Sequence, residues 1–341
     1  MTHTITNEQN QSSYIANEGE SILAAALRNG HMYSYGCQSG VCGACKATVV
    51  SGEIDYGNSD PSTLTEADKS AGQCLLCQGI PLSDVVISVK EIEVANSIEI
   101  KTMPTRVSQK ILLAPDVVQL FLTLPKTQTL NFLPGQYLQI QLKDGKHRSF
   151  SIGNNVTSAK ENGLELHIRI VPDGHYSPFV LEHLNVKDIL RIQAPFGTYF
   201  LRTDESRPII MVAGGTGFAP IKGLIEEAIE IGHGQPIHLF WGARAKADLY
   251  LDDLAIQWAQ DHDFISYTPV LSGVTEDDSW QGETGFVHEA VARAYDDVSD
   301  YSVYASGPPI MTDSVLGALK SKNLNTDFYH SDAFDYAAVS E

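Results

Sequence analysis

The sequence predicts a multidomain chain, α+β at its start and α/β at its end, and three observations carry that expectation. All five cysteines lie between positions 37 and 77, beside one helical and two strand-like patterns. Short strands broken by glycine-containing turns run from about residue 105 to 203. From about residue 207 apolar strands alternate with helical patterns. A chain of 341 residues has room for about two to three domains of ordinary size.

The first block opens with a polar hairpin pattern and then a helix. Ser21 stands as N-cap, Ile22, Leu23, Ala26 and Leu27 share a face, and Gly30 follows at the stop. A Gly- and Cys-rich loop, Tyr35–Cys45, leads into the strand-like run Ala47–Val50, and Val85–Val89 closes a small α+β unit over residues 1–95. Glu93–Pro104 reads as the connector. The second block, 101–203, holds the runs Val117–Leu124, Gln136–Leu142, Arg148–Ile152, Leu164–Val171 and Ile189–Ala194. Their spacing reads as an antiparallel barrel or sandwich. In the third block, 204–341, the strands Ile209–Ala213, Ile237–Trp241 and Tyr301–Ala305 alternate with helices, one marked by Ile221, Leu224, Ile225, Ala228 and Ile229. That alternation predicts a parallel sheet with ligands at its C-terminal edge.

Composition narrows the function classes. The chain is 43% apolar and 19% charged, with a mean hydropathy of −0.11, as in ordinary globular proteins. No run approaches the ~18 apolar residues of a membrane span. Met1 to Thr6 lacks the basic and apolar regions of a secretory signal, so the cytoplasm is the expected location. The 42 acids against 23 bases give a net charge of −19, which argues against nucleic acid and anionic membranes as partners. The excess is densest in the first 100 residues, with 12 acids and 4 bases, as a solvated face or as a docking surface for a basic partner.

The cysteines carry the strongest signal. Cys37-x4-Cys42-x2-Cys45 with a distant fourth cysteine is the ligand spacing of a plant-type [2Fe–2S] centre. Gly36, Gly40 and Gly43 let the loop turn sharply and let backbone N–H groups approach the sulfurs. Spacing leaves Cys74 and Cys77 both open as the fourth ligand, and a zinc site is the alternative for the whole cluster. Arg148-Ser149-Phe150-Ser151, and Gly174-His175-Tyr176-Ser177 before a short helix, offer a cation and N–H donors to a pyrophosphate. Gly214 to Pro220 (Gly-Gly-Thr-Gly-Phe-Ala-Pro) lies between a strand and a helix, where glycines admit a phosphate. Pro220 replaces the third glycine of the standard dinucleotide fingerprint. Ser306-Gly307-Pro308-Pro309 ends another strand at the same predicted sheet edge.

Together these motifs resemble the NADH-dependent iron–sulfur flavoprotein reductases of bacterial multicomponent oxygenases. The resemblance spans essentially the whole chain and is shared with the reductases of CDP-6-deoxyhexose synthesis. Trp280-Gln-Gly, Gly285-Phe-Val-His-Glu and Ser331-Asp332-Ala333-Phe334 match both groups. It implies a β-grasp ferredoxin domain, an antiparallel flavin barrel and a doubly wound nucleotide domain, with [2Fe–2S], FAD and NADH as cofactors. Electrons would pass from NADH through FAD and the cluster to a terminal oxygenase, Rieske or diiron, or to another electron-accepting protein. A CDP-6-deoxy-3,4-glucoseen reductase and a non-catalytic electron carrier are the alternatives.

The resemblance also assigns residues. Leu75-Leu76-Cys77-Gln78 matches the fourth-ligand context, so Cys77 joins Cys37, Cys42 and Cys45. Arg148 to Ser151, His167-Ile168-Arg169 on a second strand, and Gly174, Tyr176 and Ser177 match the flavin contacts. Gly215, Thr216, Gly217, Pro220, Arg244, Gly307 and Pro308 match the nicotinamide dinucleotide contacts. Ser151 is implied near the flavin N5, Ser306 stands where the family often has cysteine, and Phe334 is placed to cover the flavin. Phe150 replaces the family tyrosine and keeps a ring without the hydroxyl. Gly242-Ala243-Arg244 resembles the NADH-using members rather than those using NADPH.

Overall fold

The computed structural model describes residues 1–92, 98–171, 174, 176–274 and 279–334. They form two compact units, Met1–Glu99 with Gly197–Tyr199, and Ile100–Phe196 with Phe200–Glu341.

In the first unit the elements are β1 (His3–Asn7), β2 (Ser12–Ala16), α1 (Ile22–Arg28), β3 (Lys46–Ser51), β4 (Ile54–Asp55), α2 (Glu66–Ser70), β5 (Gln73–Leu75), β6 (Ile80–Pro81) and β7 (Val85–Ser88). The main sheet runs β2-β1-β7-β3-β5, with β4 and β6 paired apart. The β1–β7 pair is parallel and the others are antiparallel. Alternation sends Ile5 and Asn7 inward from β1, and α1 covers the sheet with Ile22, Leu23, Ala25 and Ala26. The Ser21 hydroxyl accepts from the Ala24 N–H at the head of α1, a cap worth about 1 kcal/mol.

The second unit begins with β8 (Lys101–Ala114), β9 (Val117–Thr123), β10 (Tyr137–Gln141), β11 (His147–Ser151), α3 (Val156–Asn162), β12 (Leu164–Arg169), α4 (Ser177–Glu182) and β13 (Ile189–Phe196). These strands form an antiparallel sheet of order β11-β10-β13-β8-β9-β12. Its two edges meet where the Gly153 N–H donates to the Glu165 carbonyl at 2.7 Å, which closes the sheet toward a barrel. Leu120, Leu138, Ile140, Leu166, Ile168 and Ile192 fill the interior. The long strand β8 went unread in the sequence. Its first four residues lie in the stretch taken as connector, and its second half exposes Ile111 and Leu112, which blurs the alternation. Residues 93–97 of that connector lie outside the described residues.

The unit continues with β14 (Ile209–Gly214), α5 (Phe218–Glu230), β15 (Ile237–Ala243), α6 (Asp252–Asp261), β16 (Ile265–Leu271), β17 (Glu283–Thr284), α7 (Val287–Ala294), β18 (Ser302–Gly307), α8 (Pro309–Lys320) and β19 (Tyr329–Ala333). The sheet is parallel throughout, in the order β17-β16-β15-β14-β18-β19. One face packs Ile210, Val212 and Val303 against Val287, Val291, Val315 and Leu319 of α7 and α8. On the other face Phe218 of α5 stacks on Trp241 with ring centroids 3.8 Å apart. Helices on both faces make the sheet doubly wound, and its order reverses between β14 and β18. The crevice at their C-terminal ends is where such sheets bind ligands.

Candidate cofactor sites

The cluster loop follows α1 and ends at β3. Gly40 holds φ +85°, and a Cβ there would stand 2.9 Å from Gln78 Cγ and 3.1 Å from the Asn58 carbonyl, so only glycine fits. Gly43 is also left-handed, whereas Gly36 is not; a Cβ at Gly36 would stand 3.4 Å from Cys42 Sγ. Amides do reach the sulfurs: Cys37 N–H lies 3.4 Å from Cys42 Sγ and Ser39 N–H lies 3.4 Å from Cys37 Sγ. The thiols associate two and two. Cys42 hydrogen-bonds Cys37 and lowers it to about 5, while Cys45 hydrogen-bonds Cys77 and lowers it too. Their partners, Cys42 and Cys45, are pushed up by giving those hydrogen bonds and by burial.

Cys74 behaves differently. It sits on β5 paired with Ala47 and fully buried, and burial pushes its thiol up to about 12. It is built as a small core residue. Cys77 lies past the end of β5, beside Gln78, whose amide donates to the Gln38 carbonyl at 3.0 Å. Two pairs of sulfurs suit two irons with two thiolates each. Cys77 also feels Cys37, and Cys45 feels Cys42, so the two pairs lie near each other. The donor set therefore fits a two-iron cluster better than zinc.

On the barrel, β11 presents Arg148, Ser149, Phe150 and Ser151. Arg148 is half-buried and, among the described residues, donates to its neighbour, the His147 carbonyl, at 2.9 Å, and Ser149 is exposed. Phe150 lies 5.9 Å from the Tyr176 ring. The Tyr176 hydroxyl is buried and has no hydrogen-bond partner among the described residues. A buried orphan hydroxyl is costly, and a polar ligand atom would relieve it. The Ser177 hydroxyl accepts from the Val171 N–H at 2.9 Å, and the Gly174 N–H donates to the Val171 carbonyl at 2.9 Å, which folds the turn before α4. Asp173 and His175 lie outside the described residues.

On β12 the three residues named as flavin contacts face different surroundings. Ile168 points into the barrel core, and the His167 ring is fully buried with both nitrogens engaged, Nε2 by Glu165 at 2.8 Å and Nδ1 by Tyr250 at 3.0 Å. Alternation along β12 explains both, so these two residues can meet a flavin only through their backbone. Arg169 alone keeps its side chain at the crevice. It pairs with Asp116 at 2.9 Å, its Nε has no partner among the described residues, and a Cβ at Gly215 would lie 3.4 Å from its Nη1.

At the crevice the glycine loop forms one short 3-10 turn, Gly215–Gly217, with Thr216 buried and Pro220 in the first turn of α5. The indole N–H of Trp241 donates to the Gly215 carbonyl at 3.1 Å and fixes the loop on the sheet. A Cβ at Gly217 would stand 2.0 Å from the Ser306 carbonyl oxygen, so the loop and the end of β18 touch backbone to backbone. Ser306 is fully buried, and its hydroxyl has no partner among the described residues. Pro308 heads α8, and the Gly307 carbonyl accepts from the Phe334 N–H at 3.1 Å. Arg244 is exposed past β15, its carbonyl held by the Gly273 N–H at 2.8 Å.

Sequence reading missed three features of this region. Asp332 stands opposite Ser306 in the β18–β19 register, and its carboxylate accepts from the Ser151 hydroxyl at 3.0 Å. Ser151 of the barrel thus meets β19 where it pairs with Ser306 of β18. The Ser-Asp-Ala-Phe ending held that signal, but only strand order shows what Asp332 faces. The second is the Trp241 clamp on the loop. The third is a buried ion cluster around Glu165 and Lys222. Burial alone would oppose ionisation of Glu165, but its contacts with His167 and Lys222 prevail and hold its carboxyl at about 2.

Mutating Arg148 to alanine is expected to weaken flavin retention by about 1.5–3 kcal/mol, the value of a charge-assisted contact to phosphate. Flavin fluorescence during titration of the flavin-free protein reads this directly, and an unchanged affinity would remove Arg148 from the flavin site.

Comparisons with known proteins agree with this arrangement. Residues 5–82 match the 2Fe-2S iron-sulfur cluster binding domain, residues 104–200 the oxidoreductase FAD-binding domain, and residues 211–316 the oxidoreductase NAD-binding domain. The CDP-6-deoxy-L-threo-D-glycero-4-hexulose-3-dehydrase reductase of Yersinia pestis is 37% identical over 313 residues, 92% of each chain. The phenol 2-monooxygenase reductase component DmpP of a Pseudomonas species is 33% identical over 332 residues, covering 95% of this chain and 92% of that protein. The crystal structure of the Amycolatopsis cytochrome P450 reductase GcoB superposes with a TM-score of 0.78 at 27% identity, covering 97% of this chain and 98% of that one.

Proposed function

Because the chain belongs to the iron–sulfur flavoprotein reductases, with [2Fe–2S], FAD-binding and NAD-binding domains, we propose that it delivers single electrons from NADH to a separate protein acceptor. Held in their sites, a flavin and an iron–sulfur cluster would together supply the conversion of two-electron hydride donation into single-electron delivery. The modules doing this are read as 1–95, 101–203 and 204–341.

The contact between Ser151 and Asp332 carries the reading. It brings the barrel strand proposed to hold the flavin against the strand pair that ends at Ser306, where the nicotinamide would lie. The chain's own groups would act as holders. Arg148 and the turn at Gly174–Ser177 would take the flavin pyrophosphate, with Arg169 on the second flavin strand, and the loop Gly214–Gly217 would take the dinucleotide phosphates. Ser151 and Ser306 would offer hydroxyls at the reacting edge, and Phe334 would cover it. Cys37, Cys42, Cys45 and Cys77 would hold the cluster.

The acceptor is read as the terminal component of an oxygenase, with a Rieske or diiron centre. The 37% identity to the Yersinia reductase favours a second acceptor, a CDP-deoxyhexulose dehydrase. Reconstitution with each purified acceptor under NADH separates the two, since product should form with one alone. NADH-driven reduction of cytochrome c should require both FAD and the cluster; activity that persists at full rate without the cluster would sink the proposed electron route. Among the described residues no helix is long and apolar enough to cross a membrane, and a cytoplasmic location is our reading, since cysteines gathered for a cluster suit a reducing compartment.

NADH is expected over NADPH by at least about tenfold in kcat/KM, or ~1.4 kcal/mol. A serine in place of Gly242, which would help grip a 2′-phosphate, has no room, since a Cβ there would stand 2.8 Å from Val287 Cβ. The Asp248 carboxylate accepts from the Ala245 N–H at 3.2 Å, which places it at the backbone between Arg244 and Lys246. Stopped-flow flavin reduction with the two nucleotides decides it, and equal efficiencies would overturn the preference.

A further inference from the structure

We infer that the buried cluster centred on Glu165 and Lys222 is a positioning strut that sets the glycine loop against the flavin-side strands, so that these two residues govern hydride transfer without touching either cofactor. Lys222 lies on α5, directly behind the loop Gly214–Gly217, and is 5% exposed. Its ammonium donates to the Gly153 carbonyl at 3.1 Å, to Glu165 at 2.9 Å, and to Glu226 one turn along α5. All three of its protons are placed. Gly153 follows Ser151 by two residues, so one bond ties the helix behind the loop to the end of β11.

Glu165 is equally committed. One oxygen receives Lys222 and the other receives Gln119 of β9 at 2.7 Å and His167 at 2.8 Å. His167 passes the connection to Tyr250, which follows β15. Glu226 accepts from the Asn155 N–H at 3.0 Å, a second tie between α5 and the segment after β11. The cluster therefore joins two barrel strands, the segment after a third, the helix behind the loop, and the segment between β15 and α6. Such a bundle is a poor choice for stability alone, since well-packed apolar residues usually do as well as a buried ion pair. Directional bonds at every donor supply what apolar packing lacks, a single allowed height and angle between the loop and the barrel. Hydride transfer depends steeply on that distance.

The inference rests on the proposed approach of NADH from the loop side, and the test separates the two. The double variant Glu165→Gln/Lys222→Met neutralises the pair at nearly constant volume. Amide hydrogen exchange of residues 153–155 and 218–226 in its FAD-free form is expected to rise at least tenfold, a result independent of any cofactor. In the holoenzyme the flavin-reduction rate at saturating NADH should fall at least about tenfold, with NADH affinity changed less than about twofold. Exchange and rate both at wild-type level would overturn the strut. Faster exchange with an unchanged rate would overturn its role in hydride transfer, while a failure of NADH to reduce even the wild-type flavin would overturn the function instead. Should the double variant not fold, Glu226→Ala removes the least buried acceptor. It should slow flavin reduction severalfold with FAD content unchanged, and no slowing would likewise reject the inference.

Discussion

Replacing Cys77 with serine is expected to abolish the visible absorption and the EPR signal of the [2Fe–2S] cluster, whereas Cys74→Ser should leave both in place. The two cysteines are three residues apart and differ in what surrounds them. Cys77 pairs with Cys45 and has its thiol lowered by that contact, while Cys74 is buried on a strand and holds its proton to about 12. A thiolate ligand is needed at each iron, and a serine hydroxyl at position 77 is a much poorer donor. Cys74→Ser should instead cost stability, because it buries a hydroxyl in an apolar core. Flavin reduction by NADH should survive loss of the cluster, and cytochrome c reduction should collapse. Reversed outcomes for the two variants would move the fourth ligand to Cys74.

Alanine at Gly217 is expected to lower kcat/KM for NADH by more than about a hundredfold, equivalent to ~2.7 kcal/mol. Gly217 has an ordinary helical φ of −59°, so conformational freedom is not what it supplies. It supplies space: a Cβ would stand 2.0 Å from the Ser306 oxygen, 2.4 Å from its carbon and 2.8 Å from the Gly307 nitrogen. All three are backbone atoms, so relief requires the loop to lift from the end of β18 and the crevice to change shape. Overpacking of this kind costs ~1–3 kcal/mol or more in stability as well. Gly234→Ala is the control, because nothing lies within 4 Å of a Cβ there, and its kinetics should match wild type. A Gly217→Ala enzyme with normal NADH kinetics would show that the dinucleotide does not use this loop.

Several parts of the molecule were legible because their signals are local. The Ser21 cap and α1, the glycine-punctuated barrel strands β9 to β13, and the loop ahead of α5 each sit in a few consecutive residues whose backbone preferences set the outcome. The three-cysteine loop is likewise a matter of spacing. Strand β8 escaped because tertiary pairing on two sides, with β9 and β13, holds it as one strand through two register shifts against β9, which break its own alternation. The motif marks His167 and Ile168 by position alone, and only the fold shows that one side chain joins a buried cluster and the other the barrel core.

The sequence by itself determined the family, the order of the modules and the cysteine, glycine and arginine positions from which the cofactor sites are read, since these depend on residue type and short spacing. Tertiary structure decided which cysteine faces the other three, that Asp332 meets Ser151, and that Lys222, Glu165 and His167 share one buried cluster. These depend on residues brought together across long stretches of chain, from a separation of 32 for Cys45 and Cys77, through 57 for Glu165 and Lys222, to 181 for Ser151 and Asp332. Side-chain chemistry at one position fixes what a residue can bind. Only the pairing of strands, and the burial that follows from it, fixes what it is offered.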